Sequence, residues 1–313
     1  MNILQTKCSN RTQVFEFFLV GFSLLREARF YLFILIFIVY IISITANVFI
    51  IVLIINERRL HKPMYFFIGA LSFLEIWYPS VTVPRLLWAL LTEEVSISPS
   101  GCFTQFFFHF SLGATENFLL TVMAFDRFVA ICNPLHYPVL MSPNTCILLL
   151  SGSWLGGFLV MVLPCLEVTK LSFCGCNTID HYYCDFSPLL ELSCSETYHI
   201  EKMVFVFSCF VILGCFSIIV MSYIWIIKTT FSVSASFGKS KAFSTCASHL
   251  IVVAIFYATT IFMFVRPTTG DFLYVNKILS IVPSIITPLL NPIIYTLRNK
   301  EHFTYIFINL QDR

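Results

Sequence analysis

Two glutamates lie inside long apolar stretches of the sequence, where a charged group needs a partner. If these stretches are helical, Glu75 lies about 11 residues from the start of its stretch and Glu116 about 11 residues before Arg127. At 1.5 Å per residue, both carboxylates are then roughly 16 Å from the same end of their helices. Two carboxylates at one depth cannot both stay ionised without a cation or a proton between them. The pair therefore predicts a cation site or a shared proton.

Four cysteines could form disulfide bonds on one side of the protein. Cys102 opens an apolar stretch, and Cys174, Cys184 and Cys194 follow at regular spacing within one more polar segment. Four cysteines allow three pairings, and the spacing leaves all three open. The glycosylation sequon at Asn10 falls on the same side. Oxidised cysteines and sequons both belong to an extracellular or lumenal compartment.

The composition indicates a membrane protein. Of the 313 residues, 58% are hydrophobic and only 12% are charged, and the mean hydropathy is +0.85. A soluble domain carries about 25% charged residues, so this chain has too few charges to cover a water-facing surface. The net charge of +2 argues against a nucleic-acid partner. The sequence has no zinc-ligand spacing, phosphate-binding loop or nucleophile beside a base, so we expect no enzyme and no catalytic residues.

Seven apolar runs must position these side chains. Each run is long enough for a transmembrane helix and lacks the alternation of barrel strands. The predicted spans are 30–55, 64–90, 102–131, 146–168, 203–227, 243–265 and 275–297. They divide the chain into a tail (1–29), a transmembrane domain (30–297, with a loop at about 169–202) and a second tail (298–313). Lysines and arginines are shared almost evenly between the two sides, so the sequon and the cysteines decide that the N-terminus is extracellular.

Four motifs follow one another along nearly the whole chain. They are PMYFF at 63–67, MAFDRFVAICNP at 123–134, KAFSTCASHL at 241–250 and PLLNPIIYTLRN at 288–299. In this order they closely resemble the olfactory receptor branch of class A, rhodopsin-like G-protein-coupled receptors. CDFSPLL at 184–190 further resembles family 6 of the class II olfactory receptors. The sequence departs from the family at Phe128, where a tyrosine is usual, and this leaves basal activity and coupling efficiency open.

The resemblance implies an all-α membrane protein, a rhodopsin-like bundle of seven transmembrane helices followed by a short amphipathic helix. It implies an odorant receptor of the plasma membrane that binds small, mostly apolar volatile molecules. Its partners would be the odorant, membrane lipid and a heterotrimeric G protein of the stimulatory (olfactory) class, which raises cyclic AMP. The alternative is a receptor of the same fold for a non-odorant metabolite. A small-solute transporter or channel is a remote alternative, because no internal repeat or continuous polar path is seen.

The resemblance also implies specific covalent and ionic contacts. The expected disulfide bonds are Cys102–Cys184 and Cys174–Cys194, which leave Cys8 and Cys176 either paired with each other or free. In this receptor class a sodium ion beside buried carboxylates favours the inactive state. The expected sodium ligands are Glu75, Glu116, Thr287 and Asn291, with a shared proton and no metal as the alternative. No other cofactor is expected.

Ligands of such receptors bind between the outer halves of helices three, five, six and seven. Counting inward from Cys102 at helical spacing, and along the other helices, gives the residues expected to face the ligand. They are His109, Phe110, Gly113, Ala114, Phe186, Phe207, Val211, Tyr257, Ile261, Phe264, Ile281 and Ser284. His109 is the expected hydrogen-bonding anchor. Helix three carries no acid at this level, so a charged amine is disfavoured as the ligand.

At the inner end of the bundle, the resemblance implies residues that contact the G protein or switch between conformations. These residues are Asp126, Arg127, Tyr223, Lys239, Lys241, His249, Asn291, Pro292 and Tyr295.

Overall fold

The structure is a computed structural model, and it describes residues 16–22, 28–92, 95–174, 177–232, 236–265 and 273–298. For residues 232, 236–248, 273 and 295–298 it describes the backbone alone. The predicted amphipathic C-terminal helix, the sequon at Asn10, and Cys8 and Cys176 lie outside the described residues, as do most of both predicted tails.

Seven long helices form the body of the protein, and each overlaps one predicted span. They are α1 (Arg29–Asn56), α2 (Pro63–Thr92), α3 (Pro99–Cys132), α4 (Pro143–Thr169), α5 (Tyr198–Ser232), α6 (Ser236–Phe264) and α7, which comprises Leu273–Leu279, a π-helical turn at Val282–Ile286, and Thr287–Arg298. Short helices lie at Arg58–Leu60, Tyr137–Leu140 and Phe186–Glu191. Helix α3 packs against α2, α4, α5 and α6 and so occupies the centre of the bundle.

The helices begin where local chemistry caps them. Ser98 and Ser142 each stand before a proline, and their hydroxyl oxygens accept hydrogen bonds from the backbone N–H groups of Gly101 and Thr145. A serine cap with proline at the next position is a strong helix start, because it satisfies an N–H group that has no partner within the helix. For this reason α3 and α4 begin about one turn before the apolar runs that predicted them.

The bundle buries its polar side chains within a mainly apolar core and presents large apolar side chains on its outer surface, as a membrane solvent favours. Helix α1 buries Ser43 and Asn47, whereas Phe30 and Tyr31 are 63% and 74% exposed. Five helices are long and apolar enough to cross a membrane within the described residues, and α6 adds a shorter apolar stretch at His249–Phe264. The protein is therefore a multi-pass membrane protein with an all-α, seven-helix transmembrane fold.

A buried asparagine supplies a hydrogen bond that the backbone of α7 lacks. Pro292 has no N–H group, so the carbonyl of Pro288, four residues earlier, loses its helical partner. The side-chain amide of Asn47 donates to this carbonyl at 3.0 Å and also to the carbonyl of Ser43. Asn47 thereby ties α1 to the kinked part of α7.

A small sheet at one end of the bundle was not predicted. Strand β1 (Phe17–Leu19) lies between β2 (Val95–Ile97) and β3 (Thr178–Ile179), antiparallel to the first and parallel to the second. Strands of two or three residues are too short to show the period of two that reveals a strand in a sequence.

Candidate functional site

One end of the bundle is closed by a cross-linked loop. Cys102 at the start of α3 is bonded to Cys184, and Cys174 is bonded to Cys194, with Cα–Cα distances of 5.5 and 6.0 Å. These are the two pairs that the resemblance implied. Gln105 supports the first bond, since its side-chain oxygen accepts from the Cys184 N–H at 3.1 Å and its amide donates to a carbonyl of α2. We call this end the disulfide end and the opposite one, which holds Arg127, the arginine end.

Beneath this loop lies a cavity of about 120 Å³. Its wall comes from α2 to α7 and from the loop. Eight of the twelve residues expected to face a ligand line it: His109, Phe110, Gly113, Ala114, Phe186, Phe207, Val211 and Phe264. Aromatic rings dominate the wall, with Phe106 and Phe110 at 4.8 Å and Phe110 and Phe264 at 6.0 Å between ring centroids. The cavity suits a small, mostly apolar molecule.

Four expected residues do not line the cavity, and all lie on α6 and α7. Tyr257, Ile261, Ile281 and Ser284 were wrong predictions of the wall. In each case the residue one position earlier in the sequence lines the cavity instead. These four residues are Phe256, Thr260, Ser280 and Pro283. Successive side chains of a helix are separated by a rotation of about 100° about its axis, so an error of one position points to a different face. Cys102 set the rotation of α3, whereas α6 has no such anchor and the π-helical turn of α7 shifts its phase.

The displaced side chains pack between helices or bond to the loop. The ring of Tyr257 lies 5.1 Å from that of Phe216 on α5. The hydroxyl of Ser284 lies 2.9 Å from that of Tyr182 in the covering loop. Both residues are buried, so they contribute to the bundle without facing the cavity.

The loop supplies an acid that the sequence analysis missed. Asp185 lines the cavity and is only 7% exposed, and its Oδ1 accepts no hydrogen bond from any residue that the structure describes. Burial raises the pKa of Asp185 to about 6. His109 lines the same cavity, with its ring 4.2 Å from that of Tyr183 and 5.0 Å from that of Tyr78.

The expectation that charged amines are disfavoured rested on helix three alone and did not consider this acid, which lies on the loop. The signal was present in the sequence, because Asp185 directly follows the cysteine that is bonded to α3. A residue next to such a bond must lie over the centre of the bundle. The cavity wall therefore includes a carboxylate and an imidazole among mostly apolar side chains.

Midway along the bundle, the structure brings together the carboxylates of α2 and α3. Glu75 and Glu116 are fully buried and close enough for their charges to interact. The side-chain amide of Asn291 donates to Oε1 of Glu75. Thr287 lies one turn away on α7. We call these four residues the carboxylate cluster.

The carboxylate cluster is rich in acceptors. Within the described part of the chain, Oε2 of Glu75, both carboxylate oxygens of Glu116, the Thr287 hydroxyl and Oδ1 of Asn291 are buried without a hydrogen-bond partner. Among all the residues that the structure describes, no group of three or more His, Cys, Asp or Glu side chains could hold a metal ion. The atoms of the cluster that could bind a metal ion are oxygens, which suit a hard cation such as sodium better than a transition metal.

The arginine end has a second set of buried polar contacts. Asp126 accepts a hydrogen bond from the hydroxyl of Tyr137 at 2.8 Å, and its neighbour Arg127 is buried. The hydroxyl of Tyr223 on α5 lies 2.6 Å from Nδ1 of His249 on α6. Pro292 is buried within α7. The side chains of Lys239, Lys241 and Tyr295 lie outside the described residues.

Together, seven transmembrane helices, a cavity beneath the loop at one end and a buried arginine at the other are typical of a seven-helix receptor. A family model described as "Olfactory receptor" matches residues 36–313. Rat Olfactory receptor 226 is 45% identical over 92% of this chain and 90% of its own length. Human Olfactory receptor 11H6 is 46% identical over 93% and 89%, and human Olfactory receptor 6B1 is 47% identical over 93% of each chain.

The chain belongs to the olfactory receptor family, whose members are G-protein-coupled receptors and not enzymes. The family model and the likeness to a family 6 receptor confirm the two resemblances seen in the sequence motifs.

Proposed function

We propose that this receptor binds small, mostly apolar volatile odorants in the cavity beneath the covering loop. The cavity itself is the observation that carries the proposal. Most of its wall consists of aromatic and aliphatic side chains, and polar groups, among them those of His109, Asp185 and Thr260, form a minority of the lining. An odorant with one hydrogen-bonding group and an apolar body matches this distribution.

The proposed output is activation of a stimulatory olfactory G protein, which raises cyclic AMP. Helix α6 supports this step because it faces both regions. Phe256 and Thr260 line the cavity, and His249 on the same helix contacts Tyr223 near the arginine end. A ligand that binds better to the active arrangement of α6 shifts the population towards it. Asp126, Arg127, Lys239, Lys241 and Tyr295 are the proposed coupling residues, with Asn291 and Pro292 as parts of the switch.

The proposed location is the plasma membrane, with the N-terminus and the disulfide end outside the cell. Both disulfide bonds lie at one end of the bundle, which supports an oxidising environment there. The arginine end then faces the cytoplasm and the G protein. This orientation lets odorants reach the cavity from outside.

We further propose that the carboxylate cluster holds a sodium ion, with a shared proton as the alternative. Its unpartnered oxygens support either occupant. Bound sodium would offset one of the two carboxylate charges, lower the repulsion between them and hold α2, α3 and α7 in the inactive arrangement. The test is the melting temperature of the purified receptor in sodium chloride and in choline chloride at equal ionic strength. Sodium should raise it, and equal values would favour the proton.

The function is tested by measuring cyclic AMP in cells that express the receptor, an olfactory G protein and a trafficking helper. The odorant panel should contain matched amines, alcohols and hydrocarbons of one carbon skeleton, because the polar side chains of the cavity wall distinguish them. Arg127→Ala should abolish the response at equal surface expression. A response that survives in this variant, or silence to every odorant at proven surface expression, would count against the proposal.

A further inference from the structure

A second concave site lies at the arginine end, on the outer surface of the bundle. It has a volume of about 320 Å³ and lies between the end of α1, the start of α2 and the start of α4. Its wall includes Ile54, Leu60 and Phe66 on one side and Met141 and Ile147 on the other. We call it the α1–α2–α4 groove. It is separate from the odorant cavity and from the carboxylate cluster.

The groove is apolar along its length and basic at its rim. Phe66 and Ile147 are 38% and 55% exposed and face the surrounding membrane. At the rim, His61 and Lys62 line the groove and are exposed. They end a segment that also contains Arg58 and Arg59, and the only acid in residues 57–62 is Glu57. A positive rim above an apolar channel matches a negative headgroup joined to a hydrocarbon chain.

The position of the rim fits the depth of a lipid headgroup. Lys62 directly precedes α2, where the chain enters the membrane, and the groove continues from there along α2 and α4. The ring of His61 is held by contact between its Nε2 and the carbonyl of Ile55 at 3.3 Å. Lipid phosphate groups lie at this boundary, and basic pockets between helices there bind anionic headgroups.

We propose that the α1–α2–α4 groove binds an anionic phospholipid of the surrounding leaflet. The headgroup lies against Lys62 and His61, and one acyl chain fills the channel between Phe66 and Ile147. A single lysine near a membrane surface contributes a preference of about fivefold for anionic lipid, and this preference weakens as salt is added. The site would thus bind phosphatidylserine in preference to phosphatidylcholine.

The first test counts lipids retained by the purified full-length receptor in native mass spectrometry. The probes are dioleoyl phosphatidylserine and dioleoyl phosphatidylcholine, which share the same chains. Wild type should retain more phosphatidylserine, and Lys62→Gln should lower that retention about fivefold without changing phosphatidylcholine. Lys202→Gln is the matched control, because Lys202 is an exposed lysine at the disulfide end.

The second test blocks the apolar channel. Ile147→Trp should reduce phosphatidylserine binding severalfold, whereas Leu148→Trp should not, because Leu148 is exposed but does not line the groove. Glycerophosphoserine, which lacks acyl chains, should fail to compete. The proposal would be overturned if the two lipids were retained equally, or if Lys62→Gln retained as much phosphatidylserine as wild type. It would also be overturned if glycerophosphoserine competed effectively, or if cholesterol displaced phosphatidylserine.

Discussion

The disulfide end and the carboxylate cluster both lie against α3, but only the disulfide end is fixed by a covalent bond. At the disulfide end, Gln105 uses both its oxygen and its amide, and a covalent bond fixes the loop to α3. In the carboxylate cluster, five buried acceptor atoms have no hydrogen-bond partner among the described residues. A buried polar atom without a partner costs about 1–3 kcal/mol.

This difference separates a fixed region from one that can respond. A disulfide bond and the two hydrogen bonds of Gln105 hold the loop in one geometry above the cavity. Unpartnered carboxylate oxygens change their energy strongly when a cation or proton enters or leaves. The comparison suggests that the disulfide end positions the odorant, while the carboxylate cluster sets how easily the helices rearrange. The following predictions test that division.

Cutting the covalent tie should have the largest effect. Cys102→Ser is expected to lower the free energy of unfolding by about 2–5 kcal/mol, because the bond closes a long segment of chain. Cys174→Ser should cost less, since its bond spans 20 residues instead of 82. Thermal unfolding of the detergent-solubilised receptor measures both. Equal losses would mean that the two bonds support the loop to the same degree.

Giving the carboxylate cluster a donor should stabilise it. Glu116→Gln removes one charge and supplies an amide beside Glu75, so we expect a gain of about 1–3 kcal/mol in sodium-free buffer. The same variant should lose any stabilisation by sodium. Melting temperatures in sodium and choline chloride report both effects. The exposed Glu196→Gln is the control, expected within about 0.5 kcal/mol of wild type.

Filling the cavity should weaken ligand potency and leave the fold intact. A Cβ atom at Gly113 would lie 3.5 Å from the Tyr78 hydroxyl, which is an ordinary contact, so the larger side chain of Gly113→Leu extends into the cavity. We expect at least a tenfold higher odorant concentration for half-maximal cyclic AMP, or about 1.4 kcal/mol. Gly152→Leu, where a Cβ meets nothing within 4 Å, should respond like wild type.

The smallest expected effect is a pH dependence specific to amines. Asp185 has a raised pKa of about 6, so it is ionised at pH 7.4 and becomes protonated as the pH falls through 6. The potency of an amine odorant should then fall by up to about tenfold per pH unit, while the matched alcohol changes little. The phenols of Tyr182 and Tyr183 in the loop interact with Asp185, and burial raises their pKa further above this range.

His109 also lies in the cavity wall, so each pH series needs a control. Asp185→Asn removes the carboxylate and keeps His109. If amine potency in Asp185→Asn fell with pH as steeply as in wild type, the carboxylate would not be the responsible group. Potency is measured by cyclic AMP at a series of external pH values.

Local features of the sequence were sufficient for the framework. Apolar runs long enough to cross a membrane predicted all seven helices, because only helices and closed barrels satisfy the backbone in lipid and these runs lack the alternation of barrel strands. Cys102 provided a fixed starting point for counting along α3, and His109, Phe110, Gly113 and Ala114 were correctly placed in the cavity wall. The likeness in four motifs was sufficient to predict the family.

Rotation and long-range pairing required the tertiary structure. Residues Tyr257 and Ile281 were each one position away from the cavity wall, because nothing local sets the rotation of α6 or the π-helical turn in α7. The three short strands meet only because the loops that carry them are brought together. The donation from Asn47 to the Pro288 carbonyl also joins distant segments.

The sequence alone thus determined that the chain crosses a membrane seven times, and which family it resembles. These properties follow from composition, run length and contiguous motifs. Only the tertiary structure decided which faces of α6 and α7 meet the ligand cavity, and that the acid in its wall comes from a loop. It also brought the basic segment after α1 against the groove beside α4. Each of these depends on how helices rotate and pack, which is set by contacts between residues far apart in the chain.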